Sequence, residues 1–183
     1  MCRRFQIEPE ELGHLEVNIR YSDLNLKKST ITVGDQAPVL IVKEKQIVCV
    51  NMVFGFQFFS DPLYNARIET ISEKPTFSSL FDHYRCLIPV TEFYEEDKYH
   101  IDHGFTSINK LFFLAGIYSP KGFVILTQKP TSEVTFYHPR MPLCLDTKNY
   151  SFFLDLKNSA EEIMSLTPIE LKAEDSSDQL SLF

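Results

Sequence analysis

Cys2 stands directly behind Met1, so loss of Met1 would place a free α-amine and a thiol on adjacent carbons. With ordinary pKa values of about 7.7–8.0 for an α-amine and about 8.5 for a thiol, both groups are partly deprotonated at neutral pH. Such a 1,2-aminothiol captures an aldehyde as an imine and closes it to a thiazolidine ring. Three further segments carry reactive side chains at close spacing. Asn65-Ala66-Arg67-Ile68-Glu69-Thr70 sets an amide two positions from a guanidinium. Arg85-Cys86-Leu87-Ile88-Pro89-Val90-Thr91-Glu92-Phe93-Tyr94-Glu95 is an apolar strand ending in acids. His138-Pro139-Arg140-Met141-Pro142 holds a His and an Arg close to two prolines. His100 and His103 have a metal-like spacing, but no Cys or third His accompanies them, and they read as loop residues.

The elements that must position these groups are mainly strands. Residues 30–33, 39–42, 46–52, 110–118 and 122–127 are rich in Val, Ile and Phe and bounded by turn formers. Ser119-Pro120-Lys121-Gly122 reads as a hairpin turn. Helices are expected at 8–12 and 159–165, another opens at Asn65 and runs to Ser72, and 77–84 reads as helix or buried loop. Strands with isolated helices and no βαβ alternation predict an α+β fold on mainly antiparallel sheet. One domain is expected over residues 1–169, followed by an acidic, flexible tail over 170–183.

Composition narrows the function. The 183 residues include 16 Phe and no Trp, and no apolar run approaches the roughly 20 residues of a membrane span. With no apolar signal core either, the expected location is the cytoplasm. Cys2, Cys49, Cys86 and Cys144 form no CxxC pair, so free thiols are expected. The net charge is −7, but residues 155–178 hold seven acids against two lysines, leaving only −2 for the first 154 residues. Non-specific duplex binding, which depends on phosphate neutralisation, is disfavoured. A local basic groove of Arg3, Arg4, Arg67, Arg85 and Arg140 is still compatible with one structured nucleic-acid site.

The four segments together resemble the SRAP (SOS response-associated peptidase) family, whose members read Met-Cys-Gly-Arg, Asn-Ala-Arg-x-Glu, Arg-Cys-Leu-x-Pro with Phe-Tyr-Glu-Trp, and His-x-Arg-Met-Pro in that order. The resemblance implies an open barrel or packed sheets and a bacterial, monomeric DNA-repair protein of the SOS response. Such a protein loses Met1, autocatalytically or to an aminopeptidase, and binds single-stranded DNA. It captures abasic sites as a thiazolidine crosslink through Cys2, with AP lyase and autopeptidase activities alongside. Cys2, Asn65, Glu95 and His138 are the implied catalytic residues. Arg67 and Arg140 are the implied phosphate clamps, with Arg4, Thr127 and Arg3 as further DNA contacts. No metal or organic cofactor is implied. Two departures stand out: Arg3 replaces Gly, and Glu96 replaces the Trp after Phe-Tyr-Glu. Phe54, Phe56 and Phe58 are expected to supply the stacking faces that the missing tryptophans would give.

The last five residues, Gln179-Leu180-Ser181-Leu182-Phe183, resemble the short peptide that docks bacterial proteins onto the DNA polymerase sliding clamp. Gln179 would make polar contacts, and Leu180, Leu182 and Phe183 would enter an apolar cleft. Two other functions stay open at this point. One is a cysteine peptidase with a Cys2–His138 nucleophile–base pair. The other is a non-catalytic, clamp-bound DNA-binding module.

Overall fold

A computed structural model describes residues 1–12, 20–21, 29–56 and 61–174. Phe58 and the clamp-like peptide Gln179–Phe183 lie outside the described residues. In chain order the elements are β1 (Arg4–Gln6), α1 (Pro9–Leu12), β2 (Arg20–Tyr21), β3 (Thr30–Thr32), β4 (Gln36–Lys43), β5 (Gln46–Val53) and β6 (Asn65–Arg67). Then come α2 (Pro75–His83), β7 (Arg85–Val90), β8 (Glu92–Glu96), β9 (Asp102–Ser107), β10 (Phe112–Ser119) and β11 (Gly122–Gln128). The chain continues through α3 (Ser132–Thr135), β12 (Met141–Pro142), β13 (Cys144–Leu145), α4 (Tyr150–Leu154), α5 (Ala160–Met164) and β14 (Leu171–Glu174).

The strands build two mostly antiparallel sheets. The smaller runs β14-β9-β8-β1-β3; the larger runs β12-β11-β10-β7-β4-β5-β2, with β13 on β10 and β6 parallel to β11. Neither order closes into a barrel among the described residues, in keeping with the expected open barrel or packed sheets.

Side-chain alternation explains the layers. Along a strand, successive residues face opposite sides of the sheet. In β4, Val39 and Ile41 face the smaller sheet while Leu40 faces the helices; β7 divides the same way, with Cys86, Ile88 and Val90 against Leu87. Both faces of the large sheet are therefore covered, which is why all six residues of β7 are buried. The phenylalanines fill the space between the sheets. Phe54 packs on Phe5 and Phe123 at centroid distances of 5.4 and 5.2 Å, and Phe93 stacks on Phe105 at 5.2 Å. On the outer face, Phe77 and Phe81, four apart on α2, join Phe153 and Ile163 against the large sheet.

Local chemistry sets the turns and caps. Lys121 N–H donates to Ser119 Oγ in the β10–β11 turn, and Gly122 follows at φ +124°, where a Cβ would meet Val53 O at 2.3 Å. Pro75 opens α2 at its first turn, where no N–H is needed. Ser159 and Glu162 form a reciprocal capping box on α5.

Three expectations need correction. The helix from Asn65 is instead strand β6 followed by a 3₁₀ turn at Ile68–Thr70, because parallel pairing with β11 captures Asn65–Arg67. The apolar Arg85–Glu95 stretch is two strands in different sheets. The chain changes sheets at Thr91, whose N–H and hydroxyl both donate to Gln6 O. The boundary at residue 169 falls short of the fold, since β14 pairs with β9 and buries Leu171.

Candidate active site

Sheet pairing brings the four segments together. β1 lies beside β8 in the register Arg4↔Tyr94, which carries the Cys2 segment to Glu95. In the other sheet, Arg67 and Pro142 both pair with Thr127 of β11, so the Asn65 and His138 segments flank one strand.

At the meeting point sits the amino group of Met1. Its nitrogen is 3.0 Å from Glu95 Oε2 and 2.8 Å from His138 Nε2. An ammonium has no lone pair to offer, so Nε2 accepts, and the neutral tautomer assigned from this pattern keeps its proton on Nδ1. That Nδ1–H donates to Arg140 O at 2.7 Å. Burial lowers the His138 pKa, and the nearby Met1 ammonium and Arg140 guanidinium push the same way, so the imidazole is held neutral.

Glu95 is fully enclosed. Burial pushes its carboxyl up to about 7, even though the Met1 ammonium and the Cys2 N–H pull it down. A buried acid tuned to neutrality beside an amine and a neutral imidazole can take up and return protons.

Cys2 is completely buried, and its Sγ donates to Arg4 O at 3.5 Å. Burial, with the Glu95 charge second, pushes the thiol well above its ordinary range. Asn65 anchors this turn: Nδ2 donates to Cys2 O at 3.0 Å and to Tyr64 O at 2.7 Å. Asn65 Oδ1 is buried with no hydrogen-bond partner among the described residues, a costly state for an amide oxygen. Beside Met1 opens a cavity of about 300 Å³ lined by Arg3, Arg4, Tyr94, Glu96 and Asp102 among others.

The cations behave differently from one another. Arg67 is exposed. Arg140 is held by Glu69 in a bidentate pair, Nη1 to Oε1 at 2.7 Å and Nη2 to Oε2 at 2.8 Å, and Nη2 also donates to Thr127 Oγ1 at 3.1 Å. Burial would raise Glu69, but the Arg140 hydrogen bonds and charge outweigh it and hold the carboxyl low. Arg4 lies over the Tyr94 ring at 4.0 Å and pairs with Asp102 at 3.0 Å. Arg3 pairs with Glu96, whose other oxygen bonds His100 Nδ1 at 2.6 Å.

Several expected contacts are not surface groups. Thr127 is fully buried; its hydroxyl donates to Ala66 O and receives Arg140, so it positions the arginine and presents nothing to DNA. Phe54 and Phe56 are at most 1% exposed, locked in the core, and offer no face to a base. Arg85 leaves the groove altogether: buried under α2 and α4, it donates to the carbonyls of Phe81, Phe153, Asp155 and Asn158. Cys49, Cys86 and Cys144 are buried free thiols. His103 turns to Asp97 at 2.9 Å, and no group of three or more potential metal ligands occurs among the described residues. Asp102 and the Glu69–Arg140 pairing escaped the sequence, because strand pairing brings Asp102 beside β8 and sets the segments that carry Glu69 and Arg140 on either side of β11.

Comparison with known proteins finds relatives in sequence and in fold. "Abasic site processing protein YoqW" of Bacillus subtilis is 36% identical over 112 residues, 53% of this chain and 50% of the relative. "Abasic site processing protein YobE" of the same organism is 30% identical over 128 residues, 62% of this chain and 58% of the relative. The matches thus span little more than half the length of these relatives. A Bordetella bronchiseptica crystal structure shares the fold at TM-score 0.72 and 16% identity, covering 95% of this chain and all of that one. A Bacteroides thetaiotaomicron structure does so at TM-score 0.70 and 20% identity, covering 98% and 95%. The family model for SOS response associated peptidase (SRAP) matches residues 1–179, and with its Cys2, Asn65, Glu95 and His138 segments meeting at one point, the chain belongs to the SRAP family.

Proposed function

We propose that this protein binds single-stranded DNA and covalently captures abasic sites through Cys2 once Met1 is removed. The supporting observation is the lodging of the Met1 amine between Glu95 and His138, with the adjoining Cys2 backbone held by Asn65. The names of the two Bacillus subtilis relatives point the same way.

The chemistry follows from those contacts. Hydrolysis of the Met1–Cys2 bond, by the protein itself or by an aminopeptidase, consumes one water and leaves the Cys2 α-amine facing Glu95, which its N–H already contacts. That amine adds to the C1′ aldehyde of a ring-opened abasic sugar, giving a carbinolamine. Loss of water, with a proton supplied by Glu95 or by His138 protonated in the previous step, gives the imine. Cys2 Sγ then adds to the imine carbon while the thiol proton passes to nitrogen, closing the thiazolidine. Asn65 Oδ1, unsatisfied in the unbound protein, would accept a hydrogen bond from a sugar hydroxyl.

A cysteine peptidase is less well supported. Its His must draw the proton from sulfur, whereas here Sγ donates to Arg4 O and His138 Nε2 faces the amine. A denaturing gel with an abasic single strand tests the proposal: processed wild type shifts the strand, and Cys2→Ala and Met1-retaining protein do not. A shift that persists in Cys2→Ala would refute it.

A further inference from the structure

The loop that carries His138 and Arg140 also carries the most solvent-exposed large apolar side chain among the described residues, Phe136, at 85%. The loop's own anchoring explains why this ring faces outward. Val134 is buried in the core between the sheets. Tyr137 N–H and His138 N–H both turn back onto Val134 O, at 2.9 and 3.0 Å. Tyr137 packs its ring on His103 at 4.3 Å and on Phe105 at 5.5 Å. With residues 134 and 137 on the inner side of a helical turn, residue 136 falls on the opposite side. The outward direction of residue 136 is therefore set by the packing of its neighbours.

An isolated exposed aromatic is ordinary on a protein surface. This one is set apart by its neighbours. It stands two positions before His138, so its Cα is within about 7 Å of that residue's Cα. The strand neighbouring the end of the loop carries the exposed Arg67. The occupant can be argued chemically, resting on the function proposed above. In a strand with a missing base, the adjacent base has lost one stacking neighbour and presents a bare face. An aromatic ring turned outward on the loop that carries His138 supplies the complement. Phe54 and Phe56, enclosed in the core, cannot do so.

We propose that Phe136 is the stacking platform for the base next to the abasic sugar, a positioning residue that holds the lesion at Cys2. Because the protein contains no Trp, Phe136→Trp gives a unique fluorophore at this point. The probe is a single strand with a tetrahydrofuran lesion, which has no aldehyde and reports non-covalent binding alone. The indole of Phe136→Trp is expected to be quenched on binding, and Phe136→Ala to bind about tenfold more weakly with an unchanged Tm. Phe136→Trp should restore the affinity, which a merely structural role would not predict. Binding by Phe136→Ala within about twofold of wild type, or an unquenched indole in the complex, would overturn the inference. Wild type is run in parallel on the true abasic strand. If it crosslinks while Phe136→Ala is unaffected, only the stacking role fails; if wild type neither binds nor crosslinks, both proposals fall.

Discussion

Arg3 and Glu96 are ion-paired at the mouth of the site, so the two residues that depart from the family's usual Gly and Trp are partners of one another. His100 first, with Arg3 adding, holds the Glu96 carboxyl below the usual range. The pair is at the surface, and neither Arg3→Gly nor Glu96→Gln should shift Tm appreciably. On DNA the two should act in opposite directions. Arg3→Gly weakens binding and reduces the salt slope by about one, as loss of a phosphate contact does. Glu96→Gln releases Arg3 and strengthens binding at low salt. Fluorescence anisotropy over a salt series checks both, and the double variant should match Arg3→Gly.

Glu95 predicts a pH signature. Its folded pKa, about 7, stands above the 4.5 of a free carboxyl. Between these values the folded protein binds a proton that the unfolded chain has released, so this group's contribution falls as pH rises from about 4.5 to about 7 and then levels. Glu95→Gln should flatten that part of the Tm–pH curve and be the more stable protein at pH 8. The same variant should crosslink slowly, since its amide cannot exchange protons. Tm measured across pH 4–8 for both proteins settles the first point, and single-turnover crosslinking the second.

Arg140 separates two roles. If its bidentate hold on Glu69 serves to fix the His138 loop, Glu69→Ala should cost about 1 kcal/mol and slow crosslinking without changing the salt slope. A phosphate clamp at Arg140 predicts instead that Arg140→Lys lowers affinity with a reduced slope. The structure favours the first outcome, because both terminal nitrogens of the guanidinium are already engaged inside the protein.

Arg85 should matter only to the fold. Arg85→Met strands four carbonyls and loses the stacking on Phe81, a cost of about 3 kcal/mol. Chemical denaturation would show the loss, and DNA binding per folded molecule should be unchanged.

The residues that meet at the Met1 amine were more legible in the sequence than their surroundings. Cys2, Asn65, Glu95 and His138 could be named from motif order, and the five main strands from their Val, Ile and Phe, because burial against a sheet or helix demands apolar side chains. What could not be seen was pairing. Asn65 looks like a helix start until β11 is placed beside it. Phe54 looks like a base platform because nothing local distinguishes a core phenylalanine from an exposed one. Phe136, with no apolar periodicity of its own, becomes meaningful only when Val134 and Tyr137 are seen to face inward. Arg4 and Asp102 meet solely through the adjacency of β1, β8 and β9.

The central claim is chemical and is tested most directly by intact mass measurement of Met1-processed protein incubated with an abasic single strand. A thiazolidine through Cys2 predicts an adduct equal to protein plus strand less one water, formed without a reducing agent and with Cys2 as the modified residue. Absence of the adduct, or an adduct that needs borohydride trapping and maps to a lysine, would contradict the account.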